Sequence, residues 1–126
     1  KLREALIEDN KVHANSDFGM HIIPDMIEIG VEAWHACAPC NDLKRLKAEY
    51  GDKLIFAGGV DPQVTDTGHA TEEEVRAEVR RTIDTLGKGG GLLLSSAVMF
   101  STVPGVDGII DDECAKYGRY DTLKFD

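Results

Sequence analysis

The 126-residue sequence is short of basic residues: 14 Lys and Arg stand against 23 Asp and Glu, for a formal net charge of -9 at pH 7. Such a chain repels phosphate backbones, so the electrostatic signature of a nucleic-acid-binding protein is missing. Long apolar runs are missing too, since residues 92–94 and 97–100 fall far below the roughly 20 residues that span a bilayer. We therefore expect no nucleic acid and no membrane among its partners.

Cysteine is also scarce. The chain has three cysteines, Cys37, Cys40 and Cys114, and is 42% hydrophobic. An odd number of cysteines in a chain with enough apolar residues to form a core does not suggest a disulfide framework. We therefore expect a reducing, cytoplasmic location. Cys37 and Cys40 have the spacing of a redox CxxC motif, but a structural loop explains them better because no helix N-terminus is predicted to lower their pKa values. Residues 1–10 resemble the end of a helix and not a signal peptide, so we expect that further chain precedes them.

Four short apolar segments, each ending in polar, small or glycine residues, alternate with segments of helical character. They predict strands at residues 11–17, 31–37, 54–61 and 91–97. The intervening patterns predict helices at residues 20–29, 42–50, 71–86 and 104–117, which Gly30, Gly51, Gly87 and Gly118 end.

The clearest helix is the one at residues 71–86, since Thr71 and Glu74 have capping-box spacing. Its predicted core face consists of four apolar residues, Val75, Val79, Ile83 and Leu86. Its charged residues predict a solvated face: Glu72, Arg76, Glu78, Arg80 and Arg81.

Four strand-plus-helix units with largely apolar strands predict a parallel sheet covered by helices, and right-handed crossovers curl such a sheet toward a barrel. A complete (β/α)8 TIM barrel takes eight strands and about 250 residues. The α/β fold class expected for residues 1–126 is therefore half of such a barrel. Its partner would be the N-terminal half of the same barrel or a second copy of the chain.

Several segments resemble the C-terminal half of the uroporphyrinogen decarboxylase superfamily, which includes the corrinoid-linked methyltransferases. In order, they are residues 12–15 (VHAN), 22–31 (ending EIGV), 39–43 (PCNDL), 47–54 (ending YGDKL), 58–62 (GGVDP), 89–92 and 113–120. The resemblance covers nearly the whole chain and implies the C-terminal half of a barrel. It also implies an enzyme that transfers methyl groups with a corrinoid carried by a partner protein.

The resemblance leaves two alternatives open. One is a carboxy-lyase of porphyrin biosynthesis that decarboxylates uroporphyrinogen, and the other is a non-catalytic divergent barrel that binds a partner. Zinc-dependent methyltransferases of the superfamily carry a histidine and a cysteine two residues apart, followed by a late cysteine. Here the first pair reads His13 and Asn15, and residues 95–99 contain neither a thiol nor a histidine. Zinc is therefore not favoured, and the histidine of the decarboxylases is missing as well.

Barrels of this type carry their reacting groups at the carboxyl ends of the strands. Nine residues are expected there: His13, Asn15, Asp17, His35, Cys37, Gly59, Asp61, Ser95 and Ser96. His13 and Asp61 are the predicted catalytic residues, which orient or protonate a small-molecule substrate, and the other seven are predicted to bind it.

Structural explanations stand beside these assignments. His13 could equally be a hydrogen-bonded histidine inside the barrel, and Asp61 with Pro62 could simply form a turn. His35 and Cys37 share strand parity, so a less favoured metal site would combine four residues, His13, His35, Cys37 and Asp61. His69 is expected at the surface, and Trp34, Met99 and Phe100 are expected in the core.

Overall fold

The structure is a computed structural model that describes residues 18–98, 100–119 and 121. In chain order its elements are α1 (Phe18–Glu28), β1 (Ala33–Cys37), α2 (Leu43–Tyr50), β2 (Ile55–Val60), α3 (Pro62–Thr65), α4 (Glu72–Leu86), β3 (Leu92–Ser96) and α5 (Val106–Tyr117). The predicted strands at 31–37, 54–61 and 91–97 are confirmed with shorter bounds. The predicted strand at 11–17 lies outside the described residues.

The three strands form one parallel sheet in the order β1-β2-β3, so the chain is an α/β protein. Trp34 of β1 pairs with Phe56 of β2, which pairs with Leu92 of β3. One residue further along each strand, His35, Ala57 and Leu93 are aligned in the same way. Because every strand points in one direction, all three carboxyl ends lie at the same edge of the sheet.

The predicted helix signals act as expected. The Asp42 side chain accepts the backbone N–H of Arg45 at 3.2 Å, which caps α2. Thr71 and Glu74 form both hydrogen bonds of a capping box at the start of α4. The short helix α3 was not predicted; it begins where the Asp61-Pro62 turn was expected, because aspartate caps and proline suits the first helical turn.

The helices cover one side of the sheet. Trp34, Cys37 and Phe56 pack there with Ile23 of α1 and Leu46 of α2. A second core cluster joins β2 to the helices α4 and α5 and comprises Val60, Val75, Val79, Ile83, Val106 and Ile110.

On the other side of the sheet, His35 and Leu93 are exposed on either side of Ala57, which is 7% exposed. For Leu93, 60% of the surface is accessible to solvent. An apolar residue exposed on one side of a parallel sheet is unusual, because parallel sheets normally have both faces covered.

The prediction of a solvated face on α4 is wrong for two of its residues. Glu78 is buried, with 6% of its surface exposed, because this part of α4 packs against the end of β2. The Arg76 side chain is largely buried between α4 and α5, where it contacts the Glu113 carboxylate at 2.8 Å. The expected core position of Phe100 is also wrong, since that side chain is 80% exposed.

Trp34 is in the core as predicted and meets Phe56 edge to face, with ring centroids 5.8 Å apart. His69 is exposed as predicted, and Met99 lies outside the described residues. Within the described part of the chain, no helix combines the length and apolar character that crossing a bilayer requires.

Candidate functional site

A groove lies at the carboxyl edge of the sheet, between the loops that follow β1 and β2. Its volume is about 220 Å³, and it is lined by Ala38, Pro39, Cys40, Asp61, Pro62 and Gln63. Parallel strands bring successive loops together at this edge, which is where α/β folds usually bind small molecules. The groove is therefore the candidate site.

Asp61 has two roles at this edge. It contributes to the lining of the groove, and it is also the N-cap of α3, where its Oδ1 accepts the backbone N–H of Gln63 at 2.9 Å. Its carbonyl oxygen accepts the Thr65 hydroxyl at 3.1 Å. Asp61 therefore lines the groove and also caps α3, whereas its catalytic role stays a prediction.

Comparisons with known proteins add nothing to this geometry. No family model matches the chain, and no curated protein or solved structure is significantly similar to it. Function has to be inferred from the fold, the groove and the residues around it.

An ion pair between the buried Glu78 and the half-exposed Arg81 lies behind Asp61. Glu78 Oε1 accepts the backbone N–H of Asp61 at 3.0 Å, and both Glu78 oxygens accept from Arg81 at 2.6 Å. Arg81 also donates to the Gly59 carbonyl at 3.3 Å. The hydrogen bonds to Glu78 raise the pKa of Arg81 above its usual value, so the guanidinium stays charged.

Sequence reasoning missed Glu78, although one signal was present. Glu78 and Thr82 follow Val75 by three and seven residues, which places them on the same helix face as Val75 and Val79. Polar residues at these spacings belong to the buried side of a helix. The charges of Glu78 and Arg81, taken alone, predict that both lie on the solvated face of the helix.

Gly59 lies at the end of β2, where α4 packs closely against it. Its φ of +92° is in the left-handed region, and a Cβ there would meet Thr82 Cγ2 at 2.8 Å and Leu86 Cδ1 at 3.0 Å. Close packing of α4 on the sheet therefore explains this glycine, as for Gly58, where a Cβ would lie 3.0 Å from the Cys37 backbone nitrogen.

The structure separates His35 from Cys37. The pairing of β1 with β2 passes from His35–Ala57 directly to Cys37–Gly58, so a bulge at Ala36 breaks the expected parity. His35 is exposed, whereas Cys37 is fully buried in the core. Burial raises the pKa of the Cys37 thiol to about 11, which keeps it protonated at neutral pH.

Ser95 and Ser96 pair with Gly59 and Val60 near the same edge but do not line the groove. The Ser95 hydroxyl donates to the Ser96 carbonyl at 3.1 Å, and the buried Ser96 Oγ accepts the N–H of Val98 at 3.4 Å. Both hydroxyls are thus engaged in local hydrogen bonds.

Three predicted site residues, His13, Asn15 and Asp17, lie outside the described residues, so the meeting of His13 with Asp61 stays a prediction. The other three residues of the less favoured metal site, His35, Cys37 and Asp61, do not come together as metal ligands. Within the ranges 18–98 and 100–119 and at 121, no group of three His, Cys, Asp or Glu residues lies close enough to hold a metal.

Proposed function

We propose that the chain is the C-terminal half of a (β/α)8 barrel of the uroporphyrinogen decarboxylase superfamily and acts in methyl transfer in a corrinoid-dependent system. The observation that carries the proposal is the groove beside Asp61, at the carboxyl edge of a parallel sheet. The methyl-transfer part also depends on the resemblance of residues 22–31 and 47–54 to that superfamily.

The sheet supports the half-barrel part of the proposal. Its strands follow one another in space as they do in sequence, and a helix follows each of them, as in a barrel. The side of the sheet with the exposed His35 and Leu93 corresponds to the interior of such a barrel, which the missing strands would fill. Those strands would come from the N-terminal half of the same barrel or from a second copy.

The size of the groove indicates what it can hold. At about 220 Å³ it is smaller than the roughly 300–1,000 Å³ of pockets that enclose drug-sized ligands. A small methyl acceptor fits this volume, and a corrinoid would be presented at the rim by a partner protein. So presented, the corrinoid would supply the methyl group, and Asp61 would hold the acceptor beside it.

The lining favours this proposal over decarboxylation of a tetrapyrrole. Tetrapyrrole substrates carry many carboxylates and need cationic groups to hold them. The described lining of the groove contains no Lys or Arg and includes the carboxylate of Asp61. A small neutral acceptor, such as a thiol, meets no such repulsion.

Asp61 would bind the acceptor through Oδ2. Gln63 engages Oδ1. Among the described residues no hydrogen bond is made to Oδ2, which is therefore available to orient the acceptor. Misplacement of a bound substrate can cost roughly 10²-fold in rate.

The test is to mix the intact protein with methylcobalamin and a small thiol, and separately with a porphyrinogen, and to follow each visible spectrum. We expect demethylation of the corrinoid, reduced roughly 10²-fold by Asp61→Asn because the acceptor is then less well oriented. Asp52→Asn, the same change in the loop before β2, is the matched control and should have no effect. A change only with the porphyrinogen would favour the carboxy-lyase, and a change in neither would favour the binding module.

A further inference from the structure

Glu78 and Arg81 of α4 contact the backbone on both sides of Val60, directly behind the groove. We propose that these two residues are positioning residues for Asp61, holding the end of β2 so that the Asp61 carboxylate faces the groove. The statement that Asp61 serves a ligand depends on the function proposed above. The statement that Glu78 and Arg81 hold its backbone does not.

Glu78 is a buried carboxylate. A carboxylate that is 6% exposed is costly unless charged or hydrogen-bonding partners surround it. Its partners are the Arg81 guanidinium, at 2.6 Å from each oxygen, and the backbone N–H of Asp61, at 3.0 Å. Among the described residues, the partner of Glu78 outside α4 is thus Asp61, which lines the groove.

The contacts from α4 reach the residues on both sides of Val60, at the end of β2. Arg81 Nη2 lies 3.3 Å from the Gly59 carbonyl oxygen, and the buried Thr82 hydroxyl donates to the same oxygen at 3.2 Å. Gly59 and Asp61 are therefore both fastened to α4. Rotation of the Asp61 backbone would break the bond to Glu78 and move the carboxylate away from the Gln63 N–H.

What sets position 78 apart from its neighbours on α4 is the Asp61 N–H, which needs an acceptor there. The neighbouring buried positions of α4 are apolar, as at Val75 and Val79. An apolar side chain at position 78 could fill the space but could not accept the Asp61 N–H.

The test compares Glu78→Gln and Arg81→Gln with Glu73→Gln in the full chain. Glu73→Gln is the matched control because it removes the same charge from the same helix, where Glu73 pairs with Arg80. Hydrogen exchange of the Asp61 and Gln63 amides is measured by NMR. The Thr71 amide is the internal reference, since it donates to the Glu74 carboxylate at 2.7 Å in the same helix.

We expect the Asp61 and Gln63 amides to exchange up to about tenfold faster in both variants, because a neutral amide at position 78 accepts the Asp61 N–H less strongly than a carboxylate does, and because Glu78 without Arg81 is no longer held in place. Thr71 should be unchanged, and Glu73→Gln should leave all three amides as they are. The Arg81 side chain is 46% exposed, so Arg81→Gln tests the same contact should Glu78→Gln fail to fold. Unchanged exchange at Asp61 and Gln63, or equal acceleration at Thr71, would overturn the proposal.

A second readout separates this proposal from the proposed function. If Glu78 acts through Asp61, Glu78→Gln slows methyl transfer from methylcobalamin in the wild type but adds nothing in an Asp61→Asn background. Transfer that Glu78→Gln does not affect would overturn the positioning role and leave the function standing. Faster amide exchange without transfer in any variant would reject the function and leave the positioning role supported.

Discussion

The Asp66 carboxylate accepts both the backbone N–H and the hydroxyl of Thr102, at 2.9 and 3.0 Å, across 36 positions of sequence. The N–H of Val103 donates to the same carboxylate at 2.7 Å. These bonds fasten the loop after β3 to the end of α3. The hydrogen bonds from Thr102 and Val103 hold the pKa of Asp66 below its ordinary value of 3.8.

The hydrogen bonds to Asp66 predict that the free energy of unfolding decreases at acid pH, where this carboxylate becomes protonated. The native state keeps the carboxylate ionised at pH values where the unfolded chain protonates it. The contribution to stability is therefore complete well above pH 3.8 and disappears as the pH falls through the lowered pKa. We expect the wild type to exceed Asp66→Asn in urea midpoint at about pH 6 and the difference to shrink on acidification.

Glu74 and Asp112 also have lowered pKa values, so they too contribute to the loss of wild-type stability at acid pH. The wild-type pH profile alone therefore does not report the contribution of Asp66. The difference between wild type and Asp66→Asn removes their contribution. A difference that is constant from neutral to acid pH would show that the Asp66 charge does not fasten the loop.

Thr71→Ala tests the capping box of α4. The Thr71 hydroxyl accepts the N–H of Glu74, and loss of such a cap costs about 1 kcal/mol. We expect that decrease in the free energy of unfolding, measured by urea denaturation. Thr85→Ala is the matched control within the same helix: its hydroxyl donates to the Arg81 carbonyl at 2.7 Å, which caps no helix end, and alanine has the higher helix propensity. A loss as large for Thr85→Ala would contradict the capping role.

Local signals explain why much of the fold was predictable. The caps Asp42 and Thr71 depend on residues within three positions along the chain, which a sequence displays directly. The bulge at Ala36 and the burial of Glu78 depend on the partner strand and on the packed end of β2 instead. Strand alternation therefore placed Cys37 on the wrong side of the sheet, and charge alone placed Glu78 at the surface.

Three glycine-to-alanine variants separate steric from conformational effects. Gly59 has a positive φ and a crowded Cβ position, so Gly59→Ala should lower the free energy of unfolding by roughly 3 kcal/mol. Gly68 has a positive φ of +75° with nothing within 4 Å, so Gly68→Ala should cost only about 1 kcal/mol. Gly108 lies in α5 with open space around it, so Gly108→Ala should stabilise by up to about 1 kcal/mol.

Chemical denaturation at neutral pH measures all three. The order of the effects is the decisive result. A Gly59→Ala variant as stable as Gly68→Ala would show that α4 does not pack closely on β2.

Thiol labelling tests whether Cys37 and Cys40 act as a redox pair. Cys40 is exposed, whereas Cys37 is buried with its pKa raised to about 11. Only the thiolate reacts, so we expect rapid labelling of Cys40 by Ellman's reagent and labelling of Cys37 only on unfolding. Above about pH 9 the unfolded thiol ionises while the native one stays protonated, so the Cys37 contribution to stability falls from pH 9 toward 11. In Cys37→Ala the free energy of unfolding should decrease less between pH 9 and 11. If mild oxidant instead removes the thiols of Cys37 and Cys40 together, the two form a disulfide, which would contradict the buried position of Cys37.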